Sequence, residues 1–222
     1  MNKVLMVGGG KGGVGKSSVA MALLDTLKQA GHSCVYVETD DSNPDVYKAV
    51  HASVESEICN LDSEAGFIKL GGLVETNQDA CIVVNTAARA TDALVKFGGI
   101  LCDVCAEQQR ELVMLWVLNR QRDGLELLRN WMDSEQLYSG VYAVLNTYFG
   151  EASKFVRYND SKLKTRLSGT MMFPELNDLV ADKLIDTRAA LWDEARATMS
   201  IAERSALNRF RIAAREALGV VV

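Results

Sequence analysis

The chain has 222 residues, of which 48% are hydrophobic and 24% charged, and its formal net charge is −5. That length buries a sizeable core without help from disulfides or metal, and the acidic balance excludes nucleic-acid binding driven by bulk charge. With only two prolines, Pro44 and Pro174, and no linker-like run, tail or repeat, residues 1–222 read as one domain.

The first predicted element is a strand, KVLMVG at residues 3–8, which runs into the glycine-rich stretch GGGKGGVGKSS. Glycine interrupts this start too soon for a signal peptide, and no apolar stretch approaches the roughly 20 residues of a membrane span. A cytoplasmic protein is expected. SSVAMALLDTLKQAG repeats apolar residues at helical spacing and stops at Gly31. Further strands are predicted at SCVYVET (33–39), ACIVVNT (80–86), LVMLWVLN (112–119), GVYAVLNT (140–147) and GTMMFP (169–174). Their nearly continuous apolar character fits strands buried on both faces. Helices are predicted over DGLELLRNWMDSEQL (123–137), NDLVADKLIDTRAALWDEA (177–195) and SIAERSALNRFRIAAREALG (200–219), the last with Ser200 as its N-cap and Gly219 as its stop. Strands alternating with helices define an α/β fold, a mostly parallel sheet with helices on both faces.

Between the first strand and first helix, Gly10-Lys11-Gly12-Gly13-Val14-Gly15-Lys16-Ser17 fits the phosphate-loop pattern GxxxxGK[ST]. Glycines allow successive backbone N–H groups to curl round phosphate oxygens, and the helix that includes Ser18 adds its positive end. In this motif Lys16 reaches the β- and γ-phosphates and the Ser17 hydroxyl ligates Mg²⁺.

The motif alone does not require the second lysine, Lys11. KGGVGKSS resembles the deviant Walker A box of the ParA/MinD group of P-loop ATPases, whose first lysine contacts the nucleotide of the partner subunit across a dimer. The resemblance implies ATP/ADP and Mg²⁺ as cofactors, a homodimer formed on ATP binding with Lys11 acting in trans, and a partner protein that stimulates or uses the switch. In VETDDSNPDV, Glu38 and Asp40 fall on the acidic pair of this family, so Asp40 is expected to orient the attacking water and help hold Mg²⁺. Asp41, Ser42 and Asn43 before Pro44 suit a turn and helix start. The third predicted strand ends at Asn85, where the family carries the Walker B aspartate. An amide there accepts a hydrogen bond from metal-bound water but brings no charge, so hydrolysis should be slow, and Asn85→Asp should strengthen the response to Mg²⁺.

By strand count, Asn146 and Pro174 occupy the places that contact and close over adenine in this family, ahead of Asn119. The phrases TDDSNPDV, NTAAR and NRQRDG narrow the resemblance to StbB-like ATPases of plasmid stability and conjugal transfer. A weak ATPase switch in plasmid partition, stability or conjugation is the leading reading. An ATP-binding adaptor with little hydrolysis, an iron–sulfur carrier using Cys102 and Cys105, and a small-molecule kinase stand as alternatives. Residues 154–166, with Lys154, Arg157, Lys162, Lys164 and Arg166, could touch DNA phosphates or form a solvated surface. The last helix places Leu207, Phe210, Ala214 and Leu218 on one face, for core packing or, as in MinD, a membrane; core packing is the expectation carried forward.

Overall fold

The structure is a computed structural model that describes residues 2–134 and 136–222. The strands are β1 (Lys3–Gly8), β2 (Cys34–Glu38), β3 (Glu55–Ile58), β4 (Cys81–Asn85), β5 (Glu111–Leu118), β6 (Gly140–Asn146) and β7 (Gly169–Phe173). They form one seven-stranded sheet in the order β3-β2-β4-β1-β5-β6-β7, and every recorded pairing is parallel. The helices are α1 (Lys16–Gln29), α2 (Asp45–Val50), α3 (Glu64–Thr76), α4 (Thr91–Glu107), α5 (Arg122–Met132), α6 (Val156–Asn159), α7 (Asp178–Asp186), α8 (Glu194–Ala197) and α9 (Ile201–Leu218). One face of the sheet is covered by α1, α2, α7 and α9, and the other by α3, α4 and α5.

The six strands predicted from apolar runs are all present. The seventh, β3, escaped that reading because ESEI is an edge strand whose residues are at most half-buried, so it carries no apolar signal. Helix α1 ends as expected: Gly31 adopts φ +78°, and His32 N–H donates to Leu27 O at 3.0 Å while Gly31 N–H donates to Lys28 O at 3.1 Å. That is the double C-terminal closure for which glycine is favoured. The same closure overturns the single helix expected over 177–195. Arg188 takes φ +49°, Ala189 N–H donates to Leu184 O, and α7 stops at Asp186. The helix expected over 123–137 ends at Met132, and Glu135 lies outside the described residues.

Helix α9 begins at the predicted Ser200, whose side chain caps Glu203 N–H while Glu203 returns the bond to the Ser200 backbone. Its apolar face of Leu207, Phe210, Ala214 and Leu218 is buried in the core. A bidentate ion pair, Arg211 Nε and Nη2 each donating to an Asp25 oxygen at 2.8 Å, ties it to α1. Among the described residues no helix is long and apolar enough to cross a membrane.

Candidate nucleotide site

All seven strands point their C-terminal ends to one edge, where the connecting loops meet; ligands of open α/β sheets bind at this edge. Strand β1 delivers the chain to Gly8, and the next helical residue is Lys16. Gly13 and Gly15 take φ +76° and +101°, and space is open beside Gly12 and Gly13. Close packing requires glycine at Gly10 and adds to the requirement at Gly15. A Cβ on Gly10 would strike the Leu127 side chain, and one on Gly15 would strike Asn146 Nδ2. Lys16 is buried and its Nζ donates to Lys11 O at 2.9 Å, closing the loop on itself. Burial pushes the Lys16 ammonium down to about 8, opposed by the charges of Asp40 and Glu38. Lys11 is half-exposed and ion-paired with Asp123 on α5.

The loops after β2 and β4 form the acidic wall. Glu38 is 1% exposed, and Asn85, its register partner on β4, is 5% exposed. Tyr36 OH donates to Glu38 Oε2 at 2.5 Å, while Thr39 N–H and Asp40 N–H donate to Oε1 at 3.0 and 3.1 Å. Asn85 Nδ2 lies 3.3 and 3.2 Å from the two carboxylate oxygens and 3.5 Å from Ser17 Oγ. Burial raises the Glu38 carboxyl above its usual range, against the pull of these donors. Asn85 Oδ1 is buried without a hydrogen-bond partner among the described residues. An orphaned acceptor beside the hydroxyl that opens the phosphate-loop helix fits a hydrated cation, whose water would donate to it. Mg²⁺ bound there would neutralise phosphate charge. No group of three His, Cys, Asp or Glu among the described residues could hold a metal ion unaided. Mg²⁺ that shares its coordination with nucleotide phosphates needs few protein ligands.

Asp40, near this wall, is more exposed and accepts from Ser42 Oγ at 2.5 Å, the first of the contacts that lower its carboxyl. Arg89, from the loop after β4, approaches Asp40 at 3.6 Å, Asp41 at 3.4 Å and Asp62 at 2.9 Å. Sequence reading passed over Arg89, Tyr36 and Asp123. Each acquires its role from a contact across the fold, save Tyr36, whose two-residue spacing from Glu38 was a legible signal.

Asn146 stands at the end of β6. Its Nδ2 donates to Val14 O at 2.9 Å and its Oδ1 accepts from Tyr148 N–H at 3.1 Å, which leaves one N–H and one lone pair free. Asn146 and Pro174 both line a cavity of about 510 Å³ that opens from Gly13, Gly15 and Ser17 toward α7. Cys102 and Cys105 are both free and buried on α4, where burial pushes the Cys105 thiol up to about 11 and raises that of Cys102. The side chains of Lys154, Arg157, Lys162, Lys164 and Arg166 are exposed, with Arg166 ion-paired to Asp133 at 2.8 Å.

A parallel sheet with a glycine loop between its central strand and first helix, a buried lysine at that helix and a cavity beyond it define a P-loop nucleotide-binding protein. The CobQ/CobB/MinD/ParA nucleotide-binding domain matches residues 5–147, and the chain belongs to this family. It is 41% identical to Protein MobD of Acidithiobacillus ferrooxidans over 223 aligned residues, covering 99% of this chain and 97% of that protein. Its fold is shared with the MinD cell division protein of Aquifex aeolicus, with a TM-score of 0.58 and 12% identity, covering 98% and 97% of the two chains. A putative plasmid partition protein from Borrelia burgdorferi bound to AMPPNP matches with a TM-score of 0.56 and 14% identity, over 96% and 99% of the chains.

Proposed function

We propose that this protein is a slow ATPase switch that binds Mg²⁺–ATP, associates as a homodimer, and separates after hydrolysis. The observation that carries the reading is the pair of lysines in one phosphate loop. Lys16 is buried against the loop carbonyl of Lys11, where phosphate would meet it, whereas Lys11 itself is half-exposed and held only by a surface ion pair. A surface ion pair contributes little stability, so Lys11 is free to exchange Asp123 for the phosphates of a second subunit. In this reading Gly10 to Ser18 cradle the phosphates and Ser17 with Asn85 meets the hydrated Mg²⁺. Asp40 orients the attacking water, and Asn146 and Pro174 border the nucleoside.

The process we infer is plasmid partition, stability or conjugal transfer. The StbB-like phrases and the fold shared with a plasmid partition protein support it. The exposed basic residues of 154–166 are the surface we assign to non-specific DNA contact, and a partner protein sets the rate. Asn85 favours a second reading, an ATP-binding adaptor with little turnover, because the amide brings no charge to the metal. Light scattering with ATP, with ADP and without nucleotide, alongside a turnover assay, tests both. A dimer with ATP alone and slow phosphate release is expected. A dimer with no turnover selects the adaptor, and a mass indifferent to nucleotide refutes the switch.

A further inference from the structure

Two aromatic side chains, Tyr148 and Phe149, follow Asn146 where β6 ends at the edge of the sheet, and the core uses only one of them. Phe149 packs partly against the apolar layer beneath α3, α4 and α5, whereas Tyr148 belongs to neither core layer. Tyr148 is 53% exposed and meets Phe149 at right angles, with ring centroids 5.3 Å apart and planes at 89°. The backbone beneath it is nevertheless fixed. Its N–H donates to Asn146 Oδ1 at 3.1 Å, within a short 3-10 turn from Thr147 to Phe149 that Gly150 leaves at φ +124°. Strand β7 lies beside β6 with Phe173 in register with Asn146, and Thr147 Oγ1 donates to Phe173 O at 2.8 Å. The turn that carries Tyr148 is thereby tied to the segment that carries Pro174 and Leu176. Tyr148, Pro174 and Leu176 all line the cavity of about 510 Å³ that opens from the phosphate loop.

A ring held by its backbone but left uncovered has apolar surface to bury and a flat π face to offer. A nucleobase presents the matching flat face, and stacking of this kind does not depend on which base it is. We propose that Tyr148 stacks on the base of the bound nucleotide and supplies affinity that the phosphate loop cannot. The inference rests on the nucleotide-binding reading above and adds to it the residue that holds the face of the base. Asn146, with one N–H and one lone pair free, can meet only an edge. The two neighbours therefore divide the work: the amide is suited to choosing among bases, and the ring holds any base that enters. The phenol hydroxyl has no part in the stack, so a phenyl ring should serve as well.

The test separates ring from hydroxyl and base from phosphate. Affinities for a non-hydrolysable ATP analogue and for inorganic tripolyphosphate, which has no base, are measured by calorimetry for wild type, Tyr148→Phe and Tyr148→Ala, with thermal melting to confirm folding. Tyr148→Ala is expected to bind the analogue about fivefold or more weakly, the usual effect of removing one stacked aromatic. Tyr148→Phe should stay within about threefold of wild type, because it keeps the ring. Tripolyphosphate should bind all three proteins within about threefold of one another, since no phosphate contact is touched. If Tyr148→Ala fails to fold, Tyr148→Leu, which keeps an apolar side chain without the π face, takes its place. If tripolyphosphate binds too weakly to measure, the contrast between Tyr148→Phe and Tyr148→Ala carries the test. A loss below fivefold in Tyr148→Ala, an equal loss in Tyr148→Phe, or an equal loss for tripolyphosphate overturns the stack while leaving nucleotide binding standing. A wild type that binds no analogue overturns the nucleotide reading and this inference together.

Discussion

Replacing Asn146 with alanine removes the link between the end of β6 and the phosphate loop. The amide makes two hydrogen bonds, to Val14 O at 2.9 Å and from Tyr148 N–H at 3.1 Å, and the residue is buried. A buried acceptor stripped of its donor costs about 1–3 kcal/mol. Tyr148 N–H lies at a partly open turn and can turn to water, so its loss is nearer the net value of one hydrogen bond, about 0.5–1.5 kcal/mol. Urea denaturation should therefore show a loss of about 1.5–4.5 kcal/mol at constant slope. Gly15, which packs directly against the Asn146 amide, loses its support, and the loop that holds the phosphates loosens. Affinities for ATP and GTP analogues should both fall by about tenfold or more, equivalent to about 1.4 kcal/mol. Any further loss confined to ATP measures contact with the adenine edge. Stability within about 0.5 kcal/mol of wild type, with a loss confined to ATP, would refute the reasoning and make Asn146 a reader of the base alone.

Lys11→Ala should leave nucleotide binding by the monomer intact and abolish the ATP-dependent dimer in light scattering, whereas Asp123→Asn, by releasing Lys11 from its intramolecular pair, should favour that dimer. Lys16 has a folded-state value of about 8, below its ordinary 10.5. Its buried ammonium therefore weakens the ligand-free protein at neutral pH, and that penalty is relieved as pH climbs from about 8 to 10.5. Phosphate favours the charged form, so calorimetry in buffers of different ionisation enthalpy should detect proton uptake on ATP binding near pH 9 and none near pH 6.5, with Lys16→Met showing uptake at neither. Arg211→Ala leaves the Asp25 carboxylate, 3% exposed, without its cation and should cost about 3–5 kcal/mol in urea denaturation, a loss that lysine should not fully repair.

The phosphate loop was legible because its chemistry is contiguous. Glycines, lysines and serine act within one turn between a strand and a helix, and a local motif needs no knowledge of what lies across the sheet. The six buried strands were legible for a related reason, since a strand covered on both faces must be apolar throughout. Where burial is partial, as at β3, or where a turn closes around an arginine in place of glycine, as at Arg188, composition carries no such mark.

The contacts that tune the site were decided only in three dimensions. Asn85 and Glu38 are 47 residues apart, Lys11 and Asp123 are 112 apart, and Arg211 and Asp25 are 186 apart. Each pair meets because parallel strands joined by crossover helices bring distant segments to a common edge or layer. The order in which those strands lie side by side is a property of packing. Sequence alone could show that the carboxylate at position 85 was missing. Only the pairing of β2 with β4 shows that another stands next to it, because a hydrogen bond depends on a few ångströms of proximity and not on distance along the chain.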